Sequence, residues 1–319
     1  MTESAYHTPI MLEEVLELLR PEERLITVDG TLGGGGHSEG ILERLPENAR
    51  HFGIDRDAEA IAEAEKRLSG YPNFTAIHGN FFDMKRLLPQ DIVTERRVDG
   101  ILLDLGVSSH QLDDAGRGFS YGAEAPLDMR MDRSAPLTAR EVVNGYPTRR
   151  LFEIIRDYGE ERFAMRIANA ITARREKAPI ETTAELSGII KEAIPAAARR
   201  EGPHPAKRTF QAIRIEVNSE LNGLSEALRN AASILSPGGV MCVITFHSLE
   251  DRIVKNLFRE LKDPCTCPPS APICICGRKP MAEILTGKPI TAGEAELMRN
   301  PRARSAKLRA IRRNENDFS

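Results

Sequence analysis

The stretch VDGTLGGGGHSEGIL, residues 28–42, decides how this chain is read. The apolar run LITVDG ends in it, four consecutive glycines follow at 33–36, and a helical spacing then begins with Ile41, Leu42 and Leu45 on one side. Glycine has the most backbone freedom to lose, so a run of it at a strand-to-helix corner is costly unless something must lie against bare backbone. A loose surface turn is the bland alternative.

Outward from the corner, strand and helix signals alternate. HFGIDRD reads as a second strand. Residues 58–68 follow with helical spacing at Ile61, Ala64 and Leu68, and Asp57 is placed to cap them. NFTAIHGNFF is a third strand, and VDGILLDLGVSS a fourth and the most apolar. This alternation predicts an α/β fold, a parallel sheet with helices on both faces. Between Asp113 and Arg214 the pattern changes to helical periodicity and turns, clearest in LFEIIRDYGEERFAMRIANAI and TTAELSGIIKEAI. Sheet signals then return. Residues 219–235 carry a stripe of Leu221, Leu224, Leu228 and Leu235, SPGG ends that helix, and VMCVITF is a strand. The predicted organisation is one α/β domain, residues 1–112 and 215–319, interrupted by an all-helical insertion at 113–214. Ligands of open parallel sheets bind outside the carboxyl ends of the strands. An insertion leaving from the fourth strand is therefore expected to act as a lid or substrate grip.

Composition narrows the function classes. The chain has 319 residues, 41% apolar and 29% charged, the make-up of a soluble globular protein. It contains no apolar run of transmembrane length, and MTESAYHTPIML is too polar for a signal peptide, so a cytoplasmic location is expected. The net charge of −3 announces no polyanionic partner, but residues 299–313 hold seven cations and no acid. That segment reads as a phosphate-seeking surface or a solvated helical face.

The corner does not fit the common nucleotide fingerprints. G-x-G-x-x-G fails because Ser38 stands sixth from Gly33, and no G-K-[ST] follows. What remains is a glycine turn with Asp29 before it and Asp55 at the end of the next strand. This set suits a nucleoside with a compact charged arm: glycines for close approach, Asp55 for both ribose hydroxyls, Asp29 beside a cation. S-adenosylmethionine has these parts. Phe81 and Phe82 could sandwich an adenine, although a core position is the commoner fate of Phe. Asp104 stands where the most apolar strand leaves the sheet, and a carboxylate buried there without partners would be costly. A polar ligand or hydrogen-bond donors should meet it.

Taken together, DGTLGGGGHS, GIDRD, DGILLDLGVSSHQLDDAGRGFSY, PLDMRMD, GEERFAMRIA, RTFQAIRIEVNSEL, TFHSLEDRIVK and NPRARSAKLRA resemble the signatures of the bacterial 16S ribosomal RNA cytosine-N4 methyltransferases, in order along nearly the whole chain. The resemblance implies a class I methyltransferase fold with an inserted helical domain. It also implies N4 methylation of a cytidine in the decoding region of small-subunit RNA, with that RNA, within the small ribosomal subunit, as partner and no membrane. Carried over residue by residue, it places cofactor contacts at Gly35, Gly36, His37, Asp55, Phe81, Asp104 and Gln111. His37 and Gln111 come from the resemblance alone.

The chemistry asks chiefly for alignment, because the sulfonium already activates the methyl group. Cytosine N4 is a poor nucleophile, and an acceptor for one of its hydrogens would localise its lone pair. Asp104, Ser108, Ser109 and His247 are the candidate catalytic residues, with a cofactor-only role for Asp104 and a structural role for His247 as the alternatives. RNA grip is expected from charge, at Arg199, Arg200, Lys207 and Arg208 in the insertion and at Arg302, Arg304 and Arg309 in the tail. Cys265, Cys267, Cys274 and Cys276 form C-x-C, six residues, C-x-C, and either ligate a structural zinc or stand as reduced thiols. Two other functions are open: a DNA or small-molecule amino-methyltransferase, and a non-catalytic RNA-binding assembly factor. Against the first, DLGVSS stands where DNA enzymes typically carry a Pro-Pro-aromatic motif. The sequence leaves the oligomeric state open, a homodimer included.

Overall fold

The computed structural model describes residues 9–200, 202, 204–268 and 273–315. The chain divides into two compact units, Met1–Gly106 with Gly223–Ser319, and Val107–Asn222. The second unit extends beyond both ends of the 113–214 segment read as an insertion.

The first unit is built on seven strands: β1 (Ile26–Asp29), β2 (Arg50–Asp55), β3 (Phe74–His78), β4 (Val98–Asp104), β5 (Leu235–Thr245), β6 (Ala282–Ile284) and β7 (Lys307–Arg313). They lie in the order β3-β2-β1-β4-β5-β7-β6. The first five are parallel, and β7 is antiparallel to both β5 and β6. This is the class I methyltransferase sheet that the resemblance implied. In β4, Ile101, Leu102 and Leu103 are all buried, the near-continuous apolar run expected of a strand covered on both faces. One face packs Leu102, Val240, Cys242, Ile244, Leu308 and Ala310 with Val15, Leu16 and Leu19 of the helix Leu12–Leu19. Alternation turns Arg309 to the opposite face, where it meets Asp251 of the helix Ser248–Lys262.

Two details differ from the sequence expectation. SPGG does not precede β5 but lies within it: pairing with β4 passes from Val98↔Leu235 to Gly100↔Val240, so the insertion is absorbed as a bulge. The other difference is β6 and β7, which the sequence reading did not find. In β7 the cations Lys307, Arg309, Arg312 and Arg313 mask a period-two strand.

The second unit is helical among its described residues, with Ala139–Gly145, Thr148–Asp157, Ala164–Arg175, Thr183–Ala193 and Lys207–Asn218 as its main helices. Two start with reciprocal capping boxes, Thr138 with Glu141 and Thr182 with Glu185. Ile154, Ile167, Ile171, Ile190, Phe210 and Ile213 form part of its own core. Arg117, 1% exposed, donates from Nη2 to the Arg130 and Met131 carbonyls and organises the loop before the first main helix.

Candidate active site

The parallel strands end in a row of acids, Asp29 on β1, Asp55 on β2 and Asp104 on β4, and the glycine turn leaves from the first of them. Gly35 sits at φ 78°, a left-handed conformation that side chains resist, and it caps the helix Gly36–Leu42. Asp55 pins the turn from the neighbouring strand. Its Oδ2 accepts from the Gly33 N–H at 2.8 Å and its Oδ1 from the Asp57 N–H at 2.8 Å. Burial raises its pKa against those two hydrogen bonds. Each oxygen keeps a further lone pair for a hydroxyl.

Asp29, expected beside a cationic arm, has a different task. It is 1% exposed and accepts from the Thr31 N–H at 3.0 Å and the Ser38 hydroxyl at 2.9 Å. Ser38 Oγ lies 2.8 Å from His51 Nε2, and His51 Nδ1 lies 2.8 Å from Thr27 Oγ1. Burial pushes the His51 pKa down to about 3, so the ring is neutral, with one donor and one acceptor. Because Ser38 gives its proton to Asp29, it must accept from Nε2–H. The donation therefore runs one way, from Thr27 through His51 and Ser38 to Asp29. Asp29 itself is pushed up to about 6 by burial, opposed by the Thr31 and Ser38 hydrogen bonds. Sequence spacing pointed to none of Thr27, Ser38 or His51. Only the registry Thr27↔His51 of β1 on β2 brings them together.

Asp104 is the opposite case. Its backbone N–H donates to Thr31 Oγ1 at 2.6 Å, which fixes the strand end. Its side chain is about a quarter exposed (24%), Oδ1 is shielded from solvent without a hydrogen-bond partner, and Oδ2 lies 3.8 Å from His37 Nδ1. His37 donates from Nε2 to the Ile10 carbonyl at 2.9 Å, which turns its Nδ1 toward Asp104. Burial pushes the Asp104 pKa up to about 7; His37 lowers it, while Asp29 and Glu250 raise it further. The result is a half-buried carboxylate with one oxygen left unpartnered, an arrangement that an N–H-bearing cation would complete.

Phe81 and Phe82 leave β3 in the short turn Phe81–Asp83 and pack edge to face, with centroids 4.9 Å apart. Phe81 is buried, and Phe82 offers the more open ring. A Cβ at Gly30 would lie 2.4 Å from Leu103 and 3.1 Å from the Cβ of Phe81, so this close approach depends on glycine. Gly36 begins the helix Gly36–Leu42 beneath Pro9.

The remaining candidates separate by unit. Ser108, Ser109 and Gln111 belong to the helical unit. The Ser108 hydroxyl accepts from the Gln111 N–H at 3.2 Å while Gln111 Oε1 accepts from the Ser108 N–H at 3.1 Å, a reciprocal cap at the start of Ser109–Asp113. His247 caps the helix Ser248–Lys262: Nδ1 accepts from the Glu250 N–H at 3.4 Å, and Glu250 Oε2 accepts from the Phe246 and His247 N–H groups. The cap uses Nδ1, while the buried Nε2 lies 3.1 Å from Glu250 Oε1. Lys207, Arg200 and Arg208 are exposed, Arg199 is half-buried, and Arg302 and Arg304 are exposed near the C-terminus. Arg309 needs correction as a phosphate contact. It is 8% exposed, its Nε donates to Asp251 Oδ1 at 2.7 Å, and reaching a phosphate would break a buried ion pair. Arg313, in the same basic run, is spent on the Ser233 and Leu235 carbonyls, each at 3.0 Å. Among the described residues, no helix is long and apolar enough to cross a membrane.

Comparison with known proteins meets this geometry. Residues 4–314 match the MraW methylase family. A protein of Ruminiclostridium cellulolyticum named Ribosomal RNA small subunit methyltransferase H is 51% identical over 310 residues, covering 96% of this chain and 98% of its own. Proteins of the same name from Clostridium botulinum (52% over 307 residues, 96% and 98%) and Heliobacterium mobile (51% over 309 residues, 97% and 99%) are equally similar. With the family matched over residues 4–314 and half the residues shared with each of these relatives, the chain belongs to the MraW methylase family.

Proposed function

We infer that this protein transfers a methyl group from S-adenosylmethionine to the N4 amino group of a cytidine in the decoding region of 16S ribosomal RNA. The observation that carries the reading is Asp104 at the end of β4, whose Oδ1 is shielded from solvent without a hydrogen-bond partner. An ammonium group supplies the N–H donor that this oxygen lacks, and the amino-acid arm of the methyl donor carries one. Asp55 takes the ribose hydroxyls with the lone pairs it does not spend on Gly33 and Asp57. Gly35 and Gly36 leave backbone open to the nucleoside, and the Phe81–Phe82 pair flanks the base. The family resemblance supports Gln111 as a further cofactor contact and Ser108 and Ser109 as candidates for the base.

The bound donor supplies a sulfonium-activated methyl group, so the protein's own task is to align and to exclude water. A base reaches such a pocket only when it is unstacked. The exposed Arg200, Lys207, Arg208, Arg302 and Arg304, with Arg199, are assigned to the RNA backbone, where charge fixes position without reading sequence. The relatives' shared name supports ribosomal RNA of the small subunit as the substrate.

The test is nucleoside mass spectrometry of ribosomal RNA from a strain lacking this protein. N4-methylated cytidine should disappear, return with the wild-type chain, and return to a lower level with Asp104→Asn. An unchanged nucleoside profile overturns the assignment.

A further inference from the structure

One cluster takes no part in the site above. Between the helix Ser248–Lys262 and β6 the chain forms a loop whose ends are tied by the Met281 N–H donating to the Leu261 carbonyl at 2.8 Å. None of the described residues from 263 to 280 is buried, and Ile273 and Ile275 are 74% and 87% exposed. The described residues of the loop therefore have no apolar core to hold them. It does have four cysteines drawn together. Their sulfurs stand at 3.6 Å (Cys265–Cys274), 3.8 Å (Cys267–Cys274), 3.5 Å (Cys274–Cys276) and 3.9 Å (Cys265–Cys276), and all four lie within 4.8 Å of one another.

These spacings distinguish between two uses of four thiols. A disulfide requires sulfurs about 2.05 Å apart, much closer than any pair here. A tetrahedral thiolate site with metal–sulfur bonds of about 2.3 Å has sulfur–sulfur edges of about 3.8 Å. The four measured edges bracket that value. A backbone N–H also points at the sulfurs: that of Ile275 donates to Cys267 Sγ at 3.3 Å. Such a donor stabilises sulfur in its anionic form. The two C-x-C arms, brought together in this way, are what a single ion would need to close the loop.

The geometry points to a structural zinc ion held by Cys265, Cys267, Cys274 and Cys276, a closed four-thiolate site that staples the loop between Ser248–Lys262 and β6. All four positions are filled by protein, so the ion has no open coordination for substrate and acts only on structure. On binding, each thiol that ligates releases its proton, and no oxidation state changes.

The full chain, purified without chelator or added metal, should carry about one zinc per chain by elemental mass spectrometry. Cys267→Ser combined with Cys274→Ser should lose it, whereas Cys242→Ala, at the buried fifth cysteine in β5, should retain it. Cobalt reconstitution of the unmodified chain needs no variant to fold. It should give the visible ligand-field bands of tetrahedral cobalt thiolate, and removal of the metal by a mercurial should expose residues 263–280 to protease. The proposal is overturned by a wild-type chain with four reactive thiols and no stoichiometric metal, by iron in place of zinc, by two disulfides, or by metal retained in the double variant.

Discussion

Asp104 and Arg309 are both charged side chains drawn into the sheet of the same unit, and the sequence marked both as ligand contacts. Their hydrogen-bond accounts differ. Arg309 is paired with Asp251, which also receives Lys307 Nζ at 3.3 Å, and the guanidinium holds the Asp251 carboxyl below its ordinary pKa against the effect of burial. Asp104 has an oxygen with no partner and a pKa raised to about 7. Charge in a sequence shows where electrostatics matters. Whether that charge is available for a ligand depends on what already satisfies it.

The contrast breaks most sharply at Arg309. Arg309→Ala leaves Asp251 without its main partner, and the expected loss is about 3 kcal/mol of stability, read from urea unfolding. Cofactor affinity per folded molecule should not change. If stability is unaffected and RNA binding collapses, the arginine is a ligand contact after all.

Asp104→Asn should behave in the reverse sense. Losing a charge-assisted hydrogen bond of about 2 kcal/mol weakens S-adenosylmethionine binding roughly thirtyfold in calorimetry. Stability should rise, because a carboxyl whose folded pKa is raised favours folding only while protonated, and that contribution fades as pH climbs from about 4 to about 7. Above pH 7 the variant should therefore unfold later than the wild type, and an earlier midpoint would contradict the account of an unsatisfied acid.

The same titration sharpens the comparison within the wild type. Binding of a cation to ionised Asp104 should weaken by up to tenfold for each pH unit below about 7 and level off above it. Asp104→Asn should flatten that profile. A wild-type affinity that does not vary across pH 7 removes Asp104 from the cofactor contacts.

The smallest effect concerns the basic residues that remain exposed. Arg302→Ala with Arg304→Ala should weaken RNA binding a few-fold and reduce the salt slope by about 0.7 for each phosphate no longer neutralised, with cofactor affinity unchanged. Arg309 is left out of this pair because its loss would confound binding with unfolding.

Five of the seven strands and the glycine corner were legible in the sequence, because Ile26, Ile54 and Ile101 sit in runs of apolar residues punctuated by glycine and aspartate. The strand β7 was not legible. Its side chains alternate correctly, but Arg309 and Arg313 look solvated until Asp251 and the Ser233 and Leu235 carbonyls are seen beside them. The roles of Asp29 and Asp104 were equally hidden. Both are strand-end acids in the sequence, and only Ser38 and Thr31 donating to one of them, and the absence of a partner at the other's Oδ1, separate scaffold from candidate ligand. The helical unit was visible as periodicity, whereas its extension to Val107 and Asn222 was not, since Asn218 secures it through the Met131 N–H and Met129 carbonyl rather than through any local signal.

The one-way chain from Thr27 to Asp29 also constrains how this corner can drift in evolution. His51 and Ser38 each accept from one neighbour and donate to the next, so a replacement at 38 or 51 that supplies only one of these capacities strands a polar atom in a sealed interior. Change at positions 27, 29, 38 and 51 is therefore expected to come in matched sets. Lineages that abandon the histidine should have abandoned the serine with it.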